Sequence, residues 1–211
     1  MARVRKIARD PSPGKNYYLV DANFLANRFI PPNVAPPGNQ RTQIEKSNEW
    51  WDEIEDQLKR NKARVYVPDI CIAETFKVLA KKYYEEGWFK SAVELNNARN
   101  RLKKTITVSA KTLRAYKREI KFHDISTTRD LIISVDRFYE LFHRHNKKVS
   151  LPDLIVVATA KYLIDFFDIP KANLQIVTLD RNLWEGTKKI PELPNAYDPV
   201  QPSDYRDRVF Q

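Results

Sequence analysis

Cysteine is almost absent from this 211-residue chain. Cys71 stands alone, which excludes an internal disulfide framework and points to a reducing compartment, the cytoplasm. Glycine is scarce as well: the four in the chain lie far apart and cannot form a Gly-rich phosphate loop. The three histidines, His123, His143 and His145, have no Cys or acid at zinc-ligand spacing and read as surface residues. Long apolar runs are missing. The greasiest stretch, "LIVVATAKYLI", contains Lys161 and is too short to span a bilayer. The opening "MARVRKIARD" is basic but lacks the apolar core of a signal peptide. Acid is in the minority, with 37 Lys and Arg against 27 Asp and Glu, a net charge of +10. That balance favours a polyanionic partner.

Hydrophobic residues make up 42% of the chain, enough for one substantial core at this length. Short apolar strands alternate with helical patterns: "KNYYLV" (15–20), "ARVYV" (63–67), "IKFHDIS" (120–126) and "LQIVTLD" (174–180). Continuous apolar strands between helices are the pattern of an α/β fold with a mostly parallel sheet. Helices are expected at 42–62, from Pro68 to about Glu86, at about 88–103, from Ser126 or Thr127 through the two histidines, and at 150–167. The 150–167 segment is apolar on nearly every face and should be central. Four prolines in "IPPNVAPPGNQ" (30–40) force an irregular loop. The stretch from Pro191 onward reads as an extended surface tail.

Four acids fall where strands hand over to helices, which is where ligands bind in open α/β sheets. Asp21 ends the first strand and Asp180 the last. Glu74 lies less than two turns into the helix after "RVYV". Asp153 lies in the first turn of the apolar helix. Each has a plainer reading. Asp21 or Asn23 fits a helix N-cap, Ser150-x-x-Asp153 fits a capping box, Asp180 fits a cap, and Glu74 fits an ion pair with Lys77. As a set they carry more. Carboxylates gathered at one sheet edge repel each other, and a divalent cation relieves that repulsion. Oxygen ligands without His or Cys suit Mg2+ or Mn2+.

Four motifs in order, "LVDANFL", "VPDICIAETF", "SLPDLIVVATA" and "IVTLDRNLW", resemble those of the PIN-domain nucleases, the fold of the VapC-type toxins. The resemblance implies a PIN-like three-layer α/β/α sandwich with a central, mostly parallel sheet. It implies a metal-dependent endoribonuclease in which Asp21, Glu74, Asp153 and Asp180 are the acids that hold Mg2+ or Mn2+. Asn23 and Thr178 occupy supporting positions. The products would be a 5′-phosphate and a 3′-hydroxyl. The resemblance also implies an antitoxin protein as partner for a toxin of this kind, and homodimerisation. The same family serves in RNA processing and decay, and an inactive nucleic-acid-binding module on this fold is the other reading. A haloacid-dehalogenase-type phosphatase also begins with an Asp after strand one, but needs a second Asp where this chain has Asn23.

The expected organisation is a basic arm (1–14), a PIN-like domain (15–190) with insertions near 30–60 and 88–118, and a Pro-rich tail (191–211). Residues 97–121 hold nine Lys or Arg against one acid, Glu119. A solvated helix face is the plain reading of such a run; phosphate contacts that position RNA are the functional one. Arg114, Lys117 and Arg118 are the candidates there, with Lys77 and Arg181 beside the acids. Trp88, Phe89, Tyr116 and Phe122 could stack on bases, although aromatics at helical spacing more often pack in a core. Cys71 reads as packed.

Overall fold

The structure, a computed structural model, describes residues 14–106 and 122–201. Its strands are β1 (Asn16–Val20), β2 (Ala63–Pro68), β3 (Phe122–Ile125), β4 (Leu174–Val177) and β5 (Ala196–Tyr197). Its α-helices are α1 (Ala22–Asn27), α2 (Asn39–Lys59), α3 (Asp69–Tyr84), α4 (Ala92–Thr105), α5 (Arg129–Arg144), α6 (Leu151–Phe167) and α7 (Arg181–Thr187). The strands form one sheet in the order β3-β2-β1-β4-β5, and every neighbouring pair is parallel. The first strand of the chain is thus its centre.

Tyr17, Tyr18, Leu19 and Val20 are all buried, so consecutive side chains on both faces of β1 are covered. Parallel strands of this kind have no polar alternation, because helices close both sides of the sheet. The architecture is the PIN-like α/β sandwich, with α6 packed across β1, β2 and β4. The run Leu154–Ala160 of α6 is buried without a break, as its apolar sequence requires.

Helix α2 begins at Asn39, earlier than its apolar periodicity predicts, because Gly38 (φ +101°) ends the proline loop and opens the helix. Trp51 ties α2 to the core. It is fully buried, its indole N–H donates to the Phe24 carbonyl at 3.0 Å, and its ring stacks on Phe24 at 4.7 Å and leans on Phe122 at 5.1 Å. Helix α4 begins later than expected, with Ser91 capping the Glu94 amide. The residues before it carry Trp88 and Phe89 into the core, and Phe122 is fully buried, so none of these three can stack on a base.

The stretch from Pro191 is not loose surface chain. Leu193 and Ala196 are buried, and Ala196–Tyr197 adds β5 to the sheet beside β4. Proline content misleads here because a two-residue strand needs little regular sequence. Among the described residues, no helix is long and apolar enough to cross a membrane.

Candidate active site

The strand order reverses between β1 and β4: the chain moves outward from β1 to β2 and β3, then returns to β4 on the other side. Such a switch point leaves a crevice at the carboxyl ends of the two strands. Asp21 follows β1 and Thr178-Leu179-Asp180 follows β4, so the crevice is lined from both sides.

Asp21 is 3% exposed. Its Oδ1 accepts the Phe24 amide at 2.7 Å, which caps α1. Its Oδ2 accepts the Thr178 hydroxyl at 2.5 Å and the Leu179 amide at 3.2 Å. The cap is therefore Asp21, and Asn23 stands exposed in the first turn. Thr178 links two of the acids, because its Oγ1 donates to Asp21 and accepts the Asp180 amide at 2.9 Å. Asp180 caps α7 through Oδ1, at 2.7 Å from the Leu183 amide.

Asp153 completes the capping box with Ser150. Its Oδ2 accepts the Ser150 amide at 3.1 Å and hydroxyl at 2.6 Å. Glu74, half-buried on α3, makes no hydrogen bond or close ion pair among the described residues, and Lys77 affects it only through its charge. The residue after Glu74 holds the helix in place. The buried Thr75 hydroxyl reaches the Ala22 carbonyl at 3.2 Å and the Cys71 carbonyl at 2.7 Å, which ties α3 to α1. Sequence reasoning missed Thr75, since one Thr in an apolar helix carries no signal of its own.

The cap and site readings of the aspartates are thus compatible. Capping uses Oδ2 of Asp153 and Oδ1 of Asp180 and leaves each with a second oxygen that makes no hydrogen bond among the described residues. The acids also feel one another. Burial, and then the charge of Asp153, push the Asp21 carboxyl from 3.8 up to about 7, against the hydrogen bonds that favour its ionised form. Burial and Asp153 likewise raise Glu74. Burial raises Asp153, with Asp180 adding to the effect. Asp153 is therefore the hub that couples to the other three. Cys71 lies beneath them, buried, and its thiol is pushed well up by burial first and then by Asp21, Glu74 and Asp153. It is packed and unreactive, as expected.

Among the described residues, no three His, Cys, Asp or Glu side chains stand close enough to hold one metal ion directly. The donor set still fits a hydrated Mg2+ or Mn2+, which keeps several waters and needs only one or two carboxylates. The mutual repulsion of the acids is what such an ion would relieve.

The candidate phosphate contacts divide. Lys77 is exposed and lines a cleft of about 260 Å³ together with Asn23, Glu74, Lys81 and Glu86. Arg181 is exposed too, but its Nε is bonded to Glu185 at 2.7 Å, and Lys147 binds the same carboxylate. Arg114, Lys117, Arg118 and Tyr116 lie outside the described residues. His123 is half-buried on β3 against the Tyr66 ring, rather than at the surface; burial and nearby Arg64 lower its pKa.

No protein-family model and no curated protein matches the chain. Solved structures do match it. One is the crystal structure of FitAcB from Neisseria gonorrhoeae, at 16% identity and TM-score 0.50, covering 88% of this chain and 99% of that one. Another is the structure of FitAB bound to an IR36 DNA fragment, at 16% identity and TM-score 0.51, covering 88% and 96%. A third is VapBC2 from Rickettsia felis bound to a promoter DNA fragment, at 13% identity and TM-score 0.48, covering 86% and 98%. At such identities the likeness is one of fold. The chain shares the PIN-like α/β fold.

Proposed function

We propose that this chain is a metal-dependent endoribonuclease, with Asp21, Glu74, Asp153 and Asp180 as the acids of its metal site and Mg2+ or Mn2+ as its ion. One observation carries the reading: Asp21 and Asp180 follow the two strands that flank the sheet's switch point, and Asp153 is close enough to raise the pKa of Asp21 and Glu74 and to be raised by Asp180. A divalent cation bound there would supply an activated water and positive charge against a phosphate. The chain's own groups do the positioning. Thr178 and the Leu179 amide fix Oδ2 of Asp21, Ser150 fixes Asp153, and the Leu183 amide fixes Asp180. Lys77 stands beside Glu74 to hold an incoming backbone phosphate, and Asn23 borders the same cleft.

In this reading the chain acts in the cytoplasm as the toxin of a toxin-antitoxin pair. An apolar groove of about 420 Å³ between α5 and α6, with Ile132, Tyr139 and Leu151 at its exposed rim, suits a partner chain. The domain would run from residue 15 through β5, with the basic arm before it. The decisive experiment is induced expression of wild type and Asp21→Asn, followed by mapping of RNA 5′ ends. Wild type should generate new ends in a divalent-ion-dependent manner, and the folded variant should generate none. Cleavage by the variant at the wild-type rate would sink the assignment.

The second reading, a nucleic-acid-binding module without cleavage, draws on the spread of the acids, no three of which can hold an ion directly. RNA binding in EDTA, with no cleavage in Mg2+ or Mn2+, would favour it.

A further inference from the structure

Helix α3 carries more than Glu74 on its outer side. Residues 74, 77, 81 and 84 recur at helical spacing and share one stripe. Along it lie Glu74, then the exposed Lys77 and Lys81, then Tyr84, which is 73% exposed at the helix end. The stripe runs about 15 Å from Glu74 to Tyr84 at the rise of an α-helix, the reach of a few nucleotides. Tyr84 is the most exposed large hydrophobic side chain among the described residues, yet it is braced, because the Tyr83 ring meets it edge-on at 4.8 Å and 72°. A core aromatic would be covered. A braced, open ring at the end of a lysine row is a stacking platform.

Of the neighbouring acids, Glu86 is already engaged. Glu86 pairs with Lys82 at 2.7 Å and lies 3.9 Å from Lys81, while Lys82 also sits 3.6 Å over the Trp88 ring. Glu85 is exposed and belongs to the same helix end. From the other side, Lys103 of α4 reaches over Phe76 at 6.0 Å and adds a further cation to the α3 surface.

We propose that this stripe is an accessory nucleotide subsite: Lys77 and Lys81 hold backbone phosphates leading away from the acid pocket, and Tyr84 stacks an unpaired base. The direction of the track rests on the nuclease reading above; the stacking does not. A base can meet Tyr84 only when it is unpaired, so the subsite selects single strands over duplex. Stacking on an aromatic is sequence-tolerant, because every base offers a flat face.

The test uses the full chain in EDTA, so that no strand is cut, and fluorescence anisotropy with a labelled single-stranded RNA dodecamer. The same dodecamer as a duplex and a strand with single abasic positions complete the set. Tyr84→Ala should weaken single-strand binding by about 5- to 100-fold, while Tyr84→Phe should stay within about twofold. One abasic position should reproduce the Tyr84→Ala loss, and the variant should not respond to that position. Lys81→Gln should lower the slope of log affinity against log salt by about 0.7. Equal binding by wild type and Tyr84→Ala, or equal affinity for duplex and single strand, overturns the subsite.

The two ideas fail separately. Mg2+-dependent cleavage of a strand that Tyr84→Ala binds like wild type leaves the nuclease and removes the subsite. Tyr84-dependent stacking on a strand that no divalent ion causes to be cut keeps the subsite and removes the nuclease. No binding to any strand removes the subsite whatever the catalytic result.

Discussion

Replacing Asp21 with Asn should change how the stability of the metal-free protein depends on pH. The carboxyl is buried, and its pKa in the folded chain is about 7 against 3.8 when unburied. Below about pH 4 both the folded and unfolded states hold the proton. Between about 4 and 7 only the folded state does, so raising the pH favours unfolding. Above about 7 the loss is complete. A displacement of this size corresponds to roughly 4 kcal/mol, a large part of the ~5–15 kcal/mol that holds a typical domain together. Asn cannot ionise and removes that dependence. It keeps one acceptor for the Phe24 amide, but its NH2 faces the Leu179 amide, and a poorly met buried donor costs about 1–3 kcal/mol. At pH 8 in EDTA, Asp21→Asn should therefore be the more stable protein, by roughly 1–3 kcal/mol. Near pH 4 the order should reverse. The measurement is thermal unfolding of both proteins from pH 4 to 8. Their Tm difference should move by on the order of 10 °C across that window for a chain of this size. Parallel Tm curves would refute the buried-acid argument, whatever the variant does to RNA.

Three further outcomes follow from the packing and the hydrogen bonds. Thr178→Val keeps the shape but removes the bridge between Asp21 and Asp180; urea unfolding at pH 5 should show a loss of about 1–3 kcal/mol, and any Mg2+-dependent cleavage should need a higher pH. Gly186→Ala places a methyl group 2.3 Å from the Phe142 ring, so α7 and α5 must separate, at a cost of about 1–3 kcal/mol; an unchanged denaturation midpoint would contradict the contact. Trp51→Ala should cost about 3–5 kcal/mol and should expose the Phe24 region to proteolysis, whereas a detachable insertion at 30–60 would leave the remainder as stable as before.

Much of this was legible from the sequence, for physical reasons. Strands β1, β2 and β4 were readable because buried parallel strands are continuous apolar runs. Helix α6 was readable because a helix apolar on all sides has to be central. The grouping of Asp21, Glu74, Asp153 and Asp180 followed from where each stands relative to a strand end, and the structure brings them within electrostatic reach. Their role as metal ligands is still an inference. Other features left no trace. β5 has only two residues in a proline-rich stretch, and pairing with β4 rather than local propensity makes it a strand. The bond of Thr75 to Ala22 is not readable from spacing, because it depends on the approach of a distant segment. The tie of Arg181 to Glu185 has helical i,i+4 spacing, but spacing alone does not decide whether an exposed Arg turns to that acid or to a ligand.

The position of β1 at the centre of the sheet has a consequence for synthesis. The central strand waits for a neighbour that follows β2 and β3 in the chain, since its second edge pairs with β4. Until residues 174–180 leave the ribosome, Asp21 has neither the Thr178 hydroxyl nor the Leu179 amide, and Asp180 does not yet exist. A nascent or prematurely terminated chain can collapse around β1, β2 and α3, but it carries an unfinished acid cluster. The threading of the sheet thus acts as a timer: the acid cluster is complete only once residues 174–180 have been made, and a fragment that stops short of them lacks Asp180 and both partners of Asp21 Oδ2.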